Sequence, residues 1–361
     1  MKILYLLFSY TVGGTEKLVT DICNEFVERG DEVHLYVVND LYDEQLLRTL
    51  DQGVVVELYR RPVNGKGKIK AMIDLAKYIK IKGIEVVHCN SFNTPEIMLL
   101  AKLVNRRLKV VYTIHGLDQY NKLNNWRVKY RNWLCHTIVA ISKTVEKEII
   151  FSGANRKKVK VVYNAISLEK FKNNSCKPKE DDGIILGNVA RIDLENKGQD
   201  LLIRAVAELN KKYKVKCYFA GAADQKHIGD YEQLRGLVRE NNLEDQIVFE
   251  GNVTDIPQFL KKIDVFVLPS RREGFGISLI EAMAMEIPCI SSDINGPREI
   301  VGDEERGILF KSEDYIDLAR AIERVILSYD TQIKKAQVAS EYVKCNFDIK
   351  HMCDLLYDIY K

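Results

Sequence analysis

The sequence is poor in the features that staple, anchor or kink a chain. It has seven prolines and two tryptophans in 361 residues. No stretch approaches the ~20 apolar residues that a membrane-spanning helix needs, so none is expected to cross a bilayer. The eight cysteines (Cys23, Cys89, Cys135, Cys176, Cys217, Cys289, Cys345 and Cys353) form no Cys-x-x-Cys pair and no Cys/His cluster at zinc spacing. Reduced structural thiols are expected, and no zinc site. A full Gly-x-Gly-x-x-Gly is missing, which argues against a dinucleotide fingerprint. The net charge is only +3, too small to imply a partner made of nucleic acid.

What remains is an ordinary globular composition, 46% apolar and 29% charged, long enough for two domains that fold without metal or disulfide. The charge is unevenly spread. Residues 1–175 carry 28 Lys and Arg against 18 Asp and Glu, and the remainder 26 against 33, so the two halves offer different surfaces. The apolar start, Met1 to Phe8, ends at Ser9 without a small-residue cleavage site and runs into an amphipathic helix. It reads as a first buried strand rather than a leader, and a cytoplasmic protein is expected.

Short apolar runs alternate with helical patterns along the chain. Strands are predicted at Ile3–Phe8, Val33–Val38, Val54–Tyr59, Glu85–His88, Lys109–Ile114, Ile138–Ile141, Ile184–Val189, Lys216–Ala220, Ile247–Glu250, Val265–Leu268 and Ile287–Ile290. Between them lie 3.6-residue stripes such as Val19, Ile22, Cys23, Phe26 and Val27. Continuous apolar strands separated by amphipathic helices predict parallel sheets covered on both faces. The polar stretch 168–182 breaks the rhythm and reads as a linker. It divides an N-terminal domain, 1–167, from a second, 183–346. An amphipathic helix at 347–361 follows, and its periodicity does not say which domain it joins. Two doubly wound domains would bind ligands at the carboxyl ends of their strands.

Several residues at such strand ends carry chemistry. Gly13-Gly14 precedes a helix N-terminus, where free N–H groups attract phosphate, or it is an ordinary strand-to-helix turn. His115-Gly116 follows a buried strand directly, as a cleft residue or a capping histidine. Arg191 follows another strand, and Lys197-Gly198 opens the next helix. Two cations there suit a diphosphate, or form a solvated surface pair. The densest run is Pro269 to Met283, with Glu273 in a glycine-punctuated loop and Glu281 two turns into a helix. Carboxylates eight residues apart across such a junction can face one pocket, as hydroxyl ligands or an acid/base pair. The alternative is a surface glutamate and a helix-dipole partner. Residues 120–134 interleave bases with aromatics: Lys122, Trp126, Arg127, Lys129, Tyr130, Arg131 and Trp133. Such a helix lies on an anionic membrane or packs its aromatic face inward.

Taken together these pieces resemble the retaining glycosyltransferases of family 4, which have the GT-B fold. The run EGFGISLIEAMA matches that family's E-x7-E signature at Glu273 and Glu281. The stretch NVARIDLENKGQDLLIRA matches its donor-phosphate motif at Arg191 and Lys197, GGTEK its N-terminal glycine loop and TIHG its histidine loop. The segments VAISK, YNAI, FEGNV, FVLPS and NGPREIV follow in the family's order, so the resemblance covers nearly the whole chain.

The resemblance implies an α/β GT-B protein that transfers a sugar, with retention and without a metal or other cofactor, from a nucleotide-diphosphate sugar, expected to be a UDP-sugar. No Asp-x-Asp loop of the metal-dependent kind is found. The acceptor would be a glycan or a lipid-linked glycan in cell-surface polysaccharide synthesis, on the inner face of the membrane. Arg191 and Lys197 would neutralise the leaving diphosphate, and Glu273 would bind sugar hydroxyls. Gly274, Phe275, Gly276 and Ile277 would line the donor, Glu281 would hold the ribose, and Gly251, Asn252 and Val253 would flank the base. His115 would sit beside the sugar and Gly14 near the phosphate. The last helix would return to the N-terminal domain. Where the family usually has a glycine after EAMA, this chain has Met285-Glu286, so Glu286 is either strained or the turn differs. A nucleotide-sugar epimerase of the same fold and a non-catalytic binding subunit are the rival readings.

Overall fold

The computed structural model describes residues 1–63, 66–172 and 183–361. These residues form two compact units, Met1–Ala165 with Ile349–Lys361, and Ile166–Asp348. Most of the expected linker, 173–182, lies outside the described residues, and Leu168–Lys170 is a single 3₁₀ turn of the second unit.

The first unit is a seven-stranded parallel sheet. Its strands are β1 (Lys2–Leu7), β2 (Glu32–Asn39), β3 (Val55–Arg61), β4 (Val86–Cys89), β5 (Lys109–Ile114), β6 (Thr137–Ala140) and β7 (Val159–Val161). They lie in the order β3-β2-β1-β4-β5-β6-β7. The core strands β1 and β5 are almost wholly buried, which is why they read as unbroken apolar runs instead of alternating ones. The order reverses between β1 and β4, whose following loops open at that switch point, with the loop after β5 next to them. A doubly wound sheet has its free backbone groups and its ligand crevice there.

The second unit repeats the plan with six strands. They are β8 (Ile184–Val189), β9 (Val215–Ala220), β10 (Ile247–Gly251), β11 (Val265–Leu268), β12 (Cys289–Ser292) and β13 (Ile308–Phe310), in the order β10-β9-β8-β11-β12-β13. Its switch point lies between β8 and β11, which pair through Leu186 and Val265. The loops after these two strands carry Arg191 and Glu273.

The terminal segment divides. Phe347 stays with the second unit, edge-on to Phe275 at 5.2 Å between ring centroids. The helix Ile349–Tyr360 belongs to the first, so the expected 347–361 element starts two residues late. It buries Met352, Cys353, Leu356 and Tyr360. Tyr360 reaches the sheet interior, its hydroxyl 3.0 Å from that of Tyr5 and 2.5 Å from Nδ1 of His88. Arg29 clamps the outer face through Asp354 and the Lys350 carbonyl.

Glu286 adopts a left-handed backbone, φ 59°. The strained alternative of the two anticipated at this turn is the one found. The surrounding helix and β12 hold it there, at a cost that glycine would avoid.

Candidate functional site

In the first unit the helix Gly14–Glu28 begins straight after the glycine loop, with Gly13 extended at its N-terminus. Gly14 is the first residue of that helix. The Glu16 carboxylate folds back over this turn, so that a Cβ on Gly13 would lie 2.5 Å from Glu16 Oε2. An anion arriving here needs Glu16 to swing away.

His115 follows β5 and is held by Asn90, which follows β4. Asn90 Nδ2 donates to the His88 carbonyl at 3.0 Å, which leaves Asn90 Oδ1 to face His115 Nε2 at 3.0 Å. The amide oxygen can only accept, so the proton sits on Nε2 and Nδ1 keeps its lone pair. That Nδ1 is buried and has no hydrogen-bond partner among the described residues. Burial pulls the imidazole pKa down to about 4, so the ring is neutral at neutral pH. Asn90 has no motif of its own, and only the adjacency of β4 and β5 reveals it.

In the second unit the stretch from Arg191 to Gly198 is folded differently from the expectation. Lys197 does not open the long helix but ends a short one, Leu194–Lys197. Gly198 then reverses the chain with φ 64°, and the helix Gln199–Leu209 follows. The reversal needs glycine twice over, since a Cβ there would also lie 2.2 Å from the Pro269 carbonyl oxygen. Asp193 caps the short helix. Its burial disfavours the charge, yet the hydrogen bonds from the Asn196 side chain and backbone outweigh that and hold its carboxyl below the usual range. Arg191 is 57% exposed and touches Asp193 Oδ2 at 3.3 Å. Gln199 Nε2 donates to the Arg191 carbonyl at 2.9 Å and fixes the backbone beneath it.

Lys197 and Glu273, 76 residues apart in sequence, are an ion pair, with Nζ 2.7 Å from Oε2. Both are mostly withdrawn from solvent. The glutamate loop is shaped from two sides. Gly276 takes φ 112° to start the helix Ile277–Ala284. Gly296 of the segment NGPREIV leaves no space for a side chain, as its Cβ would be 2.7 Å from the Glu273 carbonyl oxygen. Gly274, Phe275, Gly276 and Ile277 therefore form one tight corner, and Glu281 lies half-buried on the helix beyond it.

The loops after β8, β9 and β10 are tied in series. Gly251 accepts from the Gly221 amide at 2.7 Å, Asn252 Oδ1 from Ala222 N at 3.2 Å, and Ala222 O from Ile192 N at 3.2 Å. This places Gly251, Asn252 and Val253 on the same rim as Arg191. Asp193, His227 and Asp230 bring ligand atoms within 4.8 Å of one another beside Arg191. Each is already engaged: Asp193 with Asn196, Asp230 with the Leu194 amide, His227 with Asp224.

The basic–aromatic helix, Asn125–Leu134, differs from the expectation in two residues. Arg131 is fully buried, bonded to Glu96 at 2.8 Å and over the ring of Phe92. Arg127 pairs with the same carboxylate at 2.9 Å and with Asn93. Both bases therefore point to the protein, since one buried carboxylate needs cations and a guanidinium packs well on aromatic faces. Lys122 and Lys129 remain exposed, with Trp126 at 68% and Trp133 at 52%. The two tryptophans flank Tyr130, with Trp126 stacked on it at 5.7 Å.

Known proteins match this arrangement throughout the chain. Residues 12–170 match the sequence model described as Glycosyltransferase Family 4, and residues 169–344 that of Glycosyl transferases group 1. The chain is a glycosyltransferase with the GT-B fold. Among relatives of this glycosyltransferase, the O-antigen biosynthesis glycosyltransferase WclY of Escherichia coli is 27% identical, covering 81% of this chain and 80% of its own. A UDP-Gal:α-D-GlcNAc-diphosphoundecaprenol α-1,3-galactosyltransferase of the same organism is 28% identical over 81% and 79%. In fold the glycosyltransferase resembles Anabaena HepE, solved in complex with UDP and glucose. The TM-score is 0.86 at 21% identity, over 99% of this chain and 98% of that one.

Proposed function

We propose that this glycosyltransferase moves a sugar from a UDP-sugar to a glycan or lipid-linked acceptor in cell-surface polysaccharide synthesis, with retention at the anomeric carbon and without a metal ion. The observation that carries the reading is the Lys197–Glu273 pair at the switch point of the second sheet, with Arg191 exposed on the same rim. A donor diphosphate there meets two cations, and its sugar meets a carboxylate that accepts from hydroxyls. The acceptor hydroxyl oxygen replaces the phosphate oxygen at the anomeric carbon, and the nucleoside diphosphate departs with the bonding electrons and takes up the hydroxyl proton. Arg191 and Lys197 stabilise the charge as it develops. The polysaccharide assignment draws on WclY, named for O-antigen biosynthesis, and the lipid-linked acceptor on the galactosyltransferase, named for a diphosphoundecaprenol substrate.

The test is a panel of UDP-, GDP- and ADP-sugars scored by thermal shift, then product analysis by NMR. The matching donor at ~100 times its dissociation constant adds about 2.7 kcal/mol of stability. The product is expected to keep the donor's anomeric configuration, and EDTA to leave the rate unchanged. An inverted product, or loss of activity in EDTA restored by a divalent ion, sinks the reading. Donor turnover without acceptor would point to the epimerase instead.

We also propose that the exposed Trp126, Trp133, Lys122 and Lys129 rest on an anionic bilayer, where tryptophan rings favour the headgroup level. Each lysine near the surface contributes about 1 kcal/mol, and salt screens it. Binding to anionic vesicles is expected to fall when Trp126 and Trp133 become Ser and to weaken in high salt. Undiminished vesicle binding by that variant would return the aromatic ladder to a purely structural role.

A further inference from the structure

We propose that Arg271 is a positioning residue whose guanidinium brackets the Lys197 loop to the Glu273 loop and thereby sets the geometry that meets the leaving diphosphate. The inference rests on the reading of Lys197 and Glu273 given above.

Arg271 stands three residues beyond β11 and two before Glu273. Its backbone N–H and that of Arg272 both donate to the Asn196 carbonyl, at 2.8 and 3.1 Å, one residue before Lys197. The side chain then spans the turn on which Lys197 sits. Nη1 donates to the Leu194 carbonyl at 2.7 Å, at the start of the short helix. Nη1 and Nη2 grip the two oxygens of Asp200 at 2.7 and 2.9 Å, in the first turn of the next helix. Nε donates to Glu313 at 2.8 Å. Leu194 and Asp200 lie on either side of Lys197-Gly198, so one guanidinium holds both ends of the turn. At the same time its own backbone carries Glu273. The bonds it donates to Asp200 raise the Arg271 pKa further above its ordinary value, and the charge is permanent.

Only arginine can make this set. A lysine ammonium is a single point of charge, without a planar fork to span a carboxylate and a carbonyl together. The outer side of the bracket faces an open cavity of about 720 Å³ lined by Leu194, Asp200, Arg204, Glu240 and Glu313 among others. Removing the side chain therefore admits water instead of leaving a void in the core, and the fold is expected to persist. A displacement of about 1 Å between reacting groups costs up to ~10²-fold in rate, which is the scale on which a loosened bracket acts.

The experiment is a double-mutant cycle on kcat and on KM for the UDP-sugar, using Arg271→Ala, Lys197→Ala and the double variant, with Tm reporting the fold. Arg271→Ala is expected to lower kcat by ~10-fold or more. Lys197→Ala is then expected to cost several-fold less in the Arg271→Ala background than alone, because a lysine already out of register has less to lose. Arg271→Lys, which keeps the charge and discards the fork, is expected to behave like Arg271→Ala and serves if the alanine variant unfolds. Additive losses, or wild-type kcat in Arg271→Lys, overturn the bracket while leaving the role of Lys197 intact. A Lys197→Ala protein with normal transfer overturns the reading of Lys197 itself, and the bracket's part in transfer with it.

Discussion

Lys197→Ala is expected to lower the transfer rate by ~10²-fold or more, equivalent to about 2.7 kcal/mol of lost transition-state stabilisation. Two losses combine in it. The leaving diphosphate loses a cation, and Glu273 loses the partner that sits 2.7 Å away. The loss is expected in kcat rather than in KM, because the charge it answers develops only as the phosphate leaves. Arg191→Ala should match it in rate but not in structure. Arg191 is more than half exposed with Asp193 as its ion partner, so its removal disturbs no carboxylate of the glutamate loop. Steady-state kinetics with purified acceptor, alongside Tm for each variant, separates the two. Near-normal transfer by either variant would refute its assignment to the diphosphate.

The other large effect concerns backbone. Gly198→Ala is expected to lower Tm by about 10 °C or more and to abolish transfer, whereas Gly30→Ala should cost only a few degrees. Both glycines have positive φ, 64° and 85°, and each alanine pays the left-handed strain of about 1–2 kcal/mol. They differ in what the new methyl meets. A Cβ on Gly30 would meet no atom of the described residues beyond its chain neighbours within 4 Å, but one on Gly198 would lie 2.2 Å from the Pro269 carbonyl oxygen. A side chain could turn aside, while that carbonyl is main chain at the end of β11. The loop carrying Lys197 must therefore move off the loop carrying Glu273. Equal Tm losses at the two positions would show that strain, not close approach, governs the turn.

The fold was legible because its central strands are buried on both faces. Eleven runs of apolar residues correspond to eleven strands, with ends displaced by a residue or two, as in Val54–Tyr59 against Val55–Arg61. The two strands that escaped, Val159–Val161 and Ile308–Phe310, are both three-residue edge strands. An edge strand pairs on one side only and needs no long apolar run, so little marks it in the sequence. The site was legible as a set of residue types but not as a set of contacts. Nothing in the spacing indicates that Lys197 touches Glu273, or that Arg271 spans to Asp200. Such pairs depend on which loops meet at a switch point, and that is decided by strand order. Arg127 and Arg131 show the same limit in reverse. Their spacing suits an outward cationic face, but Glu96, which arrives from before β5, turns them inward.

The way the chain closes its first sheet has a consequence in time. Ile166–Asp348 is one continuous segment and can collapse as it leaves the ribosome, whereas the first unit is completed only by Ile349–Lys361. Until the final helix arrives, Phe26, Tyr5 and His88 lack the cover that Tyr360 supplies. The half synthesised first is thus the half finished last, and it holds an apolar face open to wrong partners for as long as the second half takes to be made. Emergence of the helix Ile349–Tyr360, rather than of the N-terminal strands, becomes the event on which folding of the first sheet waits.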